Sequence, residues 1–310
     1  MQALVRSEGS APPAVTAEPF LEAFLAGRSP QTMDAYRRDL RDFAGFVGVA
    51  DPARAAEELL GRGAGQANLL AIRYRAALLD RGLSPASVNR KLAALRSLVK
   101  MARLAGLVPF SLEVENVRSQ AYRDTRGPGL AGYRLMLGAV EARGDAKGAR
   151  DGAMLHLLFD LGLRRAEVVS LDLSDLDLGA GVVSVLGKGR RERVALTLPD
   201  PTRCAIERWL DHRGLEEGPL FLSMDRAGKG SGRLTGRALH QVVQTIGLKV
   251  GLNVWPHALR HASITTALDM TGGDVRAVAK FSRHMDIRVL GRYDDNREDM
   301  AGAIARLIAA

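Results

Sequence analysis

One short pair of strand-like segments interrupts a chain whose other apolar residues recur mainly at helical spacing. Residues 182–186 and 193–198 are rich in valine and leucine, and the basic turn Gly187-Lys188-Gly189-Arg190 lies between them. Such segments on either side of a glycine-containing turn are typical of a β-hairpin. Because helical periodicity precedes and follows the pair, the sequence predicts a mainly α fold with a small antiparallel β-sheet, of the α+β class.

Two similar helix starts organise the first part of the chain. In Ser29-Pro30 and Ser84-Pro85 the serine can cap a helix, and the proline takes the first helical position, where its missing N–H removes no hydrogen bond. A single apolar stripe follows each start. Residues 17–106 are therefore predicted to form a helical domain, preceded by a flexible tail at residues 1–16.

Beyond this domain the periodicity is lost and then returns. Residues 107–128 contain prolines, glycine and several arginines without an apolar stripe, which predicts a linker. Residues 129–310 are predicted to form a second domain that includes the β-hairpin and ends in an amphipathic helix at 296–308. At 310 residues the chain is long enough for two domains that each bury a core.

Basic side chains lie opposite the apolar stripes of the two N-terminal helices. The formal net charge of the chain is +9. This excess favours a polyanionic partner, above all nucleic acid, although a charged helix face can also be simply solvated. The side chains predicted to contact a DNA backbone are Arg37, Arg38, Arg41, Arg90, Lys91 and Arg96.

The composition argues against several other classes of protein. A single cysteine, Cys204, permits no intramolecular disulfide and no cysteine-based metal cluster, and it suits a reducing cytoplasm. Its helical surroundings predict that it packs in the core. No uncharged run approaches the roughly 20 residues of a bilayer span, and the N-terminus has no apolar signal region, so a soluble, cytoplasmic protein is expected.

A cluster of basic and imidazole side chains, His257-Ala258-Leu259-Arg260-His261, follows Pro256 and is predicted to open a helix. His257 and Arg260 are three residues apart, so they share a helix face and both can point at one phosphate. His257 and His261, four residues apart, could instead bind zinc. The glutamate of a zinc-protease motif and a third ligand at a known interval are both missing, so no metal is predicted.

A second basic motif, Gly162-Leu163-Arg164-Arg165-Ala166-Glu167, lies where one predicted helix ends and another begins. A guanidinium can donate two directed hydrogen bonds to a phosphate, and a carboxylate three residues later can hold it in place. Such a pair is more often a surface ion pair of little energetic value. Arg165 competes with Arg164 for the role.

Lys188 lies in the predicted turn of the hairpin. A nucleotide-binding loop is rejected there, because Gly181 is one residue too far away, no serine or threonine follows the lysine, and strands flank it on both sides. Two interpretations remain, a solvated turn lysine and a lysine that takes part in catalysis.

Tyr293 lies nine residues after His284. Together with the three motifs above, this spacing resembles the active-site signature of the tyrosine recombinases, the phage-integrase family, and the resemblance extends from about residue 17 to the end. The sequence departs from the family pattern at Arg283, where glycine is usual, and at Ser282, where leucine is common. The resemblance implies that Glu167 supports the first arginine, that His261 has a structural role, and that the catalytic residues are Arg164, Lys188, His257, Arg260, His284 and Tyr293.

The resemblance also implies an activity. A helical core-binding domain and a catalytic domain would close around duplex DNA. Tyr293 would attack the scissile phosphate to form a 3′-phosphotyrosine, and Lys188 would protonate the departing 5′ oxygen. Metal, ATP and other cofactors are not expected. The protein would act as a homo-tetramer on two DNA sites, like a Xer-like two-domain recombinase, with a nucleoid-associated location.

Several alternatives stay open. A type IB topoisomerase or a telomere resolvase uses the same chemistry without exchanging strands between two sites. A catalytically silent DNA-binding relative would keep the motifs as structural features. A metallohydrolase is the weakest alternative. The sequence does not specify the DNA site, the biological setting, or a second recombinase or accessory protein.

Overall fold

The computed structural model describes two compact units, which divide after residue 122. The described residues are 17–118, 127–187, 192–224, 232–284, 286–287, 290, 306 and 308–309. Among the described helices, none combines the length and the apolar composition that crossing a bilayer requires. The predicted tail at 1–16 and most of the predicted helix at 296–308 lie outside the described residues.

The described part of the first unit contains five helices. They are α1 (Ala17–Leu25), α2 (Pro30–Val47), α3 (Pro52–Gly61), α4 (Gly63–Asp80) and α5 (Pro85–Leu104). Both predicted helix starts are confirmed, because Ser29 caps α2 through the N–H of Thr32 and Ser84 caps α5 through the N–H of Ser87.

The core of this unit collects the predicted apolar stripes. Leu40 and Phe43 of α2 are buried against Leu92 and Leu95 of α5 in one cluster. Tyr74 of α4 packs its ring edge-on to Phe43, with 5.1 Å between ring centroids. The five helices therefore share a single apolar core.

Residues 107–117, called the strap below, pack on the first unit and are not a free linker. Alternate side chains of the strap reach the core of the unit in an extended, period-two pattern. The prediction of a linker over the whole of 107–128 is therefore wrong for its first half, where the apolar side chains alternate with a period of two and not with the helical period. The buried strap residues are Val108, Phe110, Leu112 and Val114.

Two asparagines attach the strap by their side-chain amides. Asn68 accepts a hydrogen bond from the N–H of Glu113 at 2.6 Å and donates to the carbonyl of Ser111 at 3.3 Å. Asn89 accepts from the N–H of Val117 at 2.7 Å and donates to the Val117 carbonyl at 2.9 Å. Each amide thus supplies both a donor and an acceptor to an extended backbone, as a neighbouring strand would.

Among its described residues, the second unit combines helices with a three-stranded antiparallel sheet of order β1-β2-β3, which confirms the predicted fold class. Its first half comprises α6 (Gly129–Glu141), α7 (Ala146–Phe159), α8 (Arg165–Ser170), β1 (Leu176–Asp177), β2 (Val182–Leu186) and β3 (Arg193–Thr197). Its second half comprises α9 (Asp200–Arg213), α10 (Gly236–Lys249), α11 (Pro256–Met270) and α12 (Val275–Ser282).

The predicted strand pair is β2 and β3, in which Val183 is opposite Leu196 and Val185 is opposite Val194. Strand β1 was not predicted, because its two residues are too few to show an alternating pattern. It pairs with β2 through Leu176 opposite Val183. The sheet is thus one strand wider than the hairpin.

Helix α7 forms the centre of the second unit. Residues 153–158 are buried on every side, and the helix contacts α6, α9 and α11. A helix segment that is buried on all sides is typical of the middle of a domain. The end of α7 is therefore held in a fixed position, and the chain that leaves it reaches the candidate site.

Cys204 is exposed, so the prediction that it packs in the core is wrong. The buried face of α9 is formed by Ala205, Ile206, Trp209 and Leu210. Cys204 precedes Ala205 by one residue, which corresponds to a rotation of about 100° around the helix. The helix is therefore confirmed, and Cys204 lies one residue outside its buried face.

Candidate active site

The turn between α7 and α8 carries the first part of the site. α7 ends at Phe159, and Gly162 takes the left-handed conformation with φ 52°. A side chain at Gly162 would be strained by this φ and would meet the ring of Phe281 at 3.4 Å. Glycine therefore allows a tight turn whose carbonyl oxygens face the site.

Glu167 in α8 holds Arg164 in place. Its Oε1 accepts a hydrogen bond from Nη1 of Arg164 at 2.7 Å, and its Oε2 accepts one from the backbone N–H of Arg164 at 2.9 Å. The side chain of Glu167 is 3% exposed and that of Arg164 is 29% exposed. Burial alone would raise the pKa of Glu167, but the Arg164 N–H and the charges of Arg283 and Arg164 hold that pKa below its usual value.

Arg260 lies on the first turns of α11, and its side chain is almost fully buried. Its Nη2 donates to the carbonyl of Ser282 at 2.5 Å, and its Nη1 donates to the carbonyl of Gly162. These contacts join three segments, namely the α7–α8 turn, α11 and the end of α12. Since a guanidinium stays charged in proteins, Arg260 is a fixed cation at their junction.

His257 is exposed at the start of α11, directly after Pro256. Its ring contacts that of His261, with 4.1 Å between centroids and an interplanar angle of 76°. His261 is half-buried and lies one turn further along the same face. The rings therefore pack on each other edge to face, and the structural role expected of His261 is consistent with this contact.

His284 lies just after α12, close to these cations. Its Nδ1 is 2.7 Å from Oγ of Ser282. Burial and the positive charges of Arg260, Arg164 and Arg283 together lower the pKa of His284 to about 4, with His257 also contributing. All four groups are therefore near enough to act electrostatically on this imidazole. The arrangement suits an anion held by several fixed hydrogen-bond donors.

Arg283 and Ser282 are site residues whose roles the sequence did not reveal. Arg283 stands where the family pattern has glycine, and the structure places its guanidinium inside the protein against Glu167, at 3.1 Å. Ser282 connects Arg260 to His284 through its carbonyl and its hydroxyl. No sequence motif predicts these contacts, because Arg283 and Glu167 are 116 positions apart.

Lys188 and Tyr293 lie outside the described residues. The strands that flank Lys188 are in place, since β2 ends at Leu186 and β3 begins at Arg193. Among the residues that the structure does describe, no group of three His, Cys, Asp or Glu side chains is arranged to hold a metal ion.

Three of the predicted DNA-contacting arginines are exposed on α2. They are Arg37, Arg38 and Arg41. The side chain of Arg37 is 56% exposed, and its distance to Asp34 is 4.0 Å, at the limit of an ion pair. Such loose surface pairs contribute little energy. The cations of α2 are therefore available to a partner.

Lys91 does not belong to an exposed basic face, and this part of the prediction is wrong. Its side chain is 11% exposed, and Nζ lies 3.1 Å from Asp42 and 3.4 Å from Asp39. The Asp39 side chain is itself 1% exposed. Because a buried carboxylate requires a counter-ion, Lys91 points between α2 and α5 and serves as a counter-ion to both carboxylates.

Arg90 and Arg96 also make internal contacts, although they are less buried. Arg90 pairs with Asp39, and its side chain is 48% exposed. Arg96 donates to the carbonyl of Val114 and to Oδ1 of Asn116, both at 2.8 Å, and so holds the strap. Both arginines have structural partners in the first unit.

Comparison with known proteins matches both units to domains of the phage integrase family. Residues 133–300 match the phage integrase family, and residues 18–106 match the phage integrase N-terminal SAM-like domain. A tyrosine recombinase of Synechococcus elongatus is 41% identical over 289 residues, which cover 91% of this chain and 90% of that protein. The tyrosine recombinase XerC of Pseudomonas fluorescens is 34% identical over 274 residues, covering 86% and 85%.

A similar fold is found in the solved structure of the Tn1549 transposon integrase in complex with transposon right end DNA. The TM-score is 0.69 at 17% identity, and the match covers 95% of this chain and 100% of that one. Identity this low demonstrates the fold alone. The family follows from the sequence matches, which span most of both units: this chain belongs to the phage integrase family of tyrosine recombinases.

Proposed function

We propose that the protein is a site-specific DNA recombinase that cleaves and rejoins DNA through a 3′-phosphotyrosine intermediate. The observation that supports this most strongly is the grouping of Arg164, Arg260 and His257 around His284 in the second unit. Fixed donors of this kind stabilise the negative charge that develops when a phosphate becomes pentacovalent. Removing one such donor typically slows a reaction by about 10²- to 10³-fold.

In the proposed reaction the phenolic oxygen of Tyr293 bonds to phosphorus and the bond from phosphorus to the 5′ oxygen breaks. His257 takes the proton of the phenol, and Lys188 gives a proton to the departing 5′ oxygen. Arg164 and Arg260 bind the non-bridging oxygens. Rejoining is the same sequence in reverse, with a 5′-hydroxyl attacking the phosphotyrosine. The bond energy is conserved, so no ATP is consumed.

Double-stranded DNA is the proposed partner. The net charge of +9 and the exposed arginines of α2 favour a polyanion. The Tn1549 integrase, which has a similar fold, is bound to DNA in its solved structure. A protein that binds and recombines DNA acts where that DNA is, which for a Xer-like enzyme is the nucleoid in the cytoplasm.

Replacement of Tyr293 tests the chemistry. Tyr293→Phe removes the phenolic oxygen alone, so it should still bind target DNA but form no DNA-linked protein on a nicked suicide substrate analysed by denaturing gel. Tyr36→Phe is a matched control, because the Tyr36 ring stacks on Phe24 in the first unit, far along the sequence from the catalytic motifs. A covalent band that persists in Tyr293→Phe would refute the assignment of the nucleophile.

We further propose that four copies assemble on two DNA sites. In this arrangement the predicted helix at 296–308 docks on a neighbouring copy, since a helix this short is marginal alone in water. Truncation after Asp295 should then preserve binding to one site and reduce the pairing of two sites in gel-shift titrations. A type IB topoisomerase would instead relax supercoiled DNA and leave two-site substrates unrecombined.

A further inference from the structure

Arg283 adopts a backbone conformation that side chains rarely take. It follows α12 with φ 57° and ψ 36°, and among the described residues it is the non-glycine residue with positive φ. This left-handed conformation costs about 1 kcal/mol or more for a residue with a Cβ atom. The contacts of its side chain must offset that cost.

The guanidinium of Arg283 is buried in the site, with a side-chain exposure of 6%. Its Nη1 donates to the carbonyl of Leu161 at 3.1 Å, and its Nη2 donates to the carbonyl of Gly162 at 3.2 Å. Nη2 also lies 3.1 Å from Oε2 of Glu167. Arg283 therefore contacts the turn whose Gly162 carbonyl also accepts a hydrogen bond from Arg260.

Glu167 shares its two oxygens between two arginines. Oε1 binds Arg164, whereas Oε2 binds both the backbone N–H of Arg164 and the side chain of Arg283. A pair of Arg164 and Glu167 alone would carry no net charge, so the carboxylate would offset much of the attraction of Arg164 for an anion. With Arg283 included, the three side chains carry a net charge of +1.

We propose that Arg283 is a positioning residue that fixes Glu167 and offsets its charge, so that Arg164 meets the scissile phosphate as an oriented cation of undiminished charge. This inference rests on the proposed cleavage of DNA at the same site. Arg283 itself does not touch the phosphate.

Three substitutions distinguish the effect of the Arg283 charge from the effect of its left-handed backbone conformation. Arg283→Met keeps a long side chain and the left-handed strain but removes the charge. Arg283→Lys restores the charge without the forked geometry. Arg283→Gly removes the side chain and relieves the strain, so it provides a folded variant even where Arg283→Met proves unstable. Thermal unfolding of each variant identifies those that keep the native fold.

The experiment compares single-turnover cleavage of two nicked suicide substrates, one with an ordinary scissile phosphate and one with a methylphosphonate. On phosphate, Arg283→Met and Arg283→Gly should cleave about 10- to 100-fold more slowly than the unaltered protein, an effect as large as that of removing a residue that orients a metal-binding side chain. Arg283→Lys should recover part of the rate. On the methylphosphonate, which has lost one negative charge, the defect should shrink, because less positive charge is required.

An equal defect on both substrates would make Arg283 a structural residue and overturn the inference. So would rates of Arg283→Met and Arg283→Gly that match the unaltered protein. If the unaltered protein forms no covalent product on either substrate, the proposed function itself fails. A second measurement tests the route through Glu167: Arg283→Met combined with Glu167→Gln should be no slower than Glu167→Gln alone, and fully additive defects would contradict it.

Discussion

The hydroxyl oxygen of Ser282 lies 2.7 Å from Nδ1 of His284 and 2.7 Å from the carbonyl oxygen of Val278. A carbonyl only accepts hydrogen bonds, so the single proton of Ser282 is donated to Val278. The hydroxyl oxygen must then accept the proton of His284 Nδ1. Neutral His284 therefore carries its proton on Nδ1, and its Nε2 is a hydrogen-bond acceptor.

The first prediction concerns the protonation of His284. Burial and the surrounding arginines lower its pKa to about 4, so in the DNA-free protein it should be neutral at pH 7 and remain neutral to about pH 4. The unfolded chain binds the proton at about 6.5. The fold should consequently lose stability as pH falls from about 6.5 towards 4.

Nitrogen-15 NMR of the imidazole rings checks this prediction. At pH 6 the His284 signals should be those of the Nδ1–H tautomer, and Ser282→Ala should weaken that preference. A titration midpoint of His284 near its usual value in the DNA-free protein would contradict the electrostatic account. Added DNA should raise the pKa, since a phosphodiester brings negative charge to the same arginines.

A second prediction tests Lys188 as the general acid. Lys188→Ala should slow cleavage of ordinary DNA much more than cleavage of a substrate with a 5′-bridging sulfur, because a thiolate leaves without protonation. Cleavage rates on the two substrates provide the comparison. Equal defects would assign Lys188 to phosphate binding instead.

Neutralising the exposed face of α2 should weaken DNA binding in a salt-dependent way. The triple change of Arg37, Arg38 and Arg41 to glutamine should lower affinity for all DNA sequences and reduce the slope of log affinity against log salt. Each lost phosphate contact changes that slope by roughly 0.9. The matched control changes three other exposed arginines of the same unit, Arg54, Arg62 and Arg73. If the slope falls equally in both variants, DNA affinity depends on the total charge of the unit and not on the α2 face.

Lys91, by contrast, should affect stability. Lys91→Met removes the cation between Asp39 and Asp42, although Arg90 still pairs with Asp39 and Arg81 with Asp42. Losing a buried hydrogen-bonding partner of charged groups costs about 1.5–3 kcal/mol. The free energy of unfolding, measured by urea denaturation of the full chain, should fall by that amount. Lys100→Met on the same helix is the control, because Lys100 is exposed. Unchanged stability in Lys91→Met would mean that Arg90 and Arg81 neutralise the pair without it.

The sequence predicted the elements whose pattern is local. Helices α2 and α5 follow from a serine, a proline and one apolar stripe, and strands β2 and β3 follow from two short apolar runs around a turn. The strap was missed because its alternating side chains pack on helices and not in a sheet. Lys91 was misplaced because its position opposite the apolar stripe suggested solvent, whereas the neighbouring helix presents Asp39 there.

In the candidate site, too, contacts between residues close in sequence were predictable, whereas contacts between distant segments were not. Arg164 with Glu167, and His257 with Arg260, are three residues apart, so their spacing alone predicts a shared face. The pairing of Arg283 with Glu167 depends on a left-handed turn after α12 and on how α8 and α12 pack. Neither the turn nor the packing produces a periodic pattern in the sequence. In addition, a left-handed position is usually occupied by glycine, so a buried arginine is not expected there.

The exposed thiol of Cys204 gives this protein a natural attachment point for one fluorophore, because the sequence contains a single cysteine. Its neighbours Ala205 and Ile206 are buried, so a dye on Cys204 projects from the outer side of α9 without displacing core side chains. Donor-labelled and acceptor-labelled batches of the unmutated protein can be mixed on two-site DNA. Energy transfer between the two dyes would then report, in real time, when a donor-labelled and an acceptor-labelled copy come together on the same DNA.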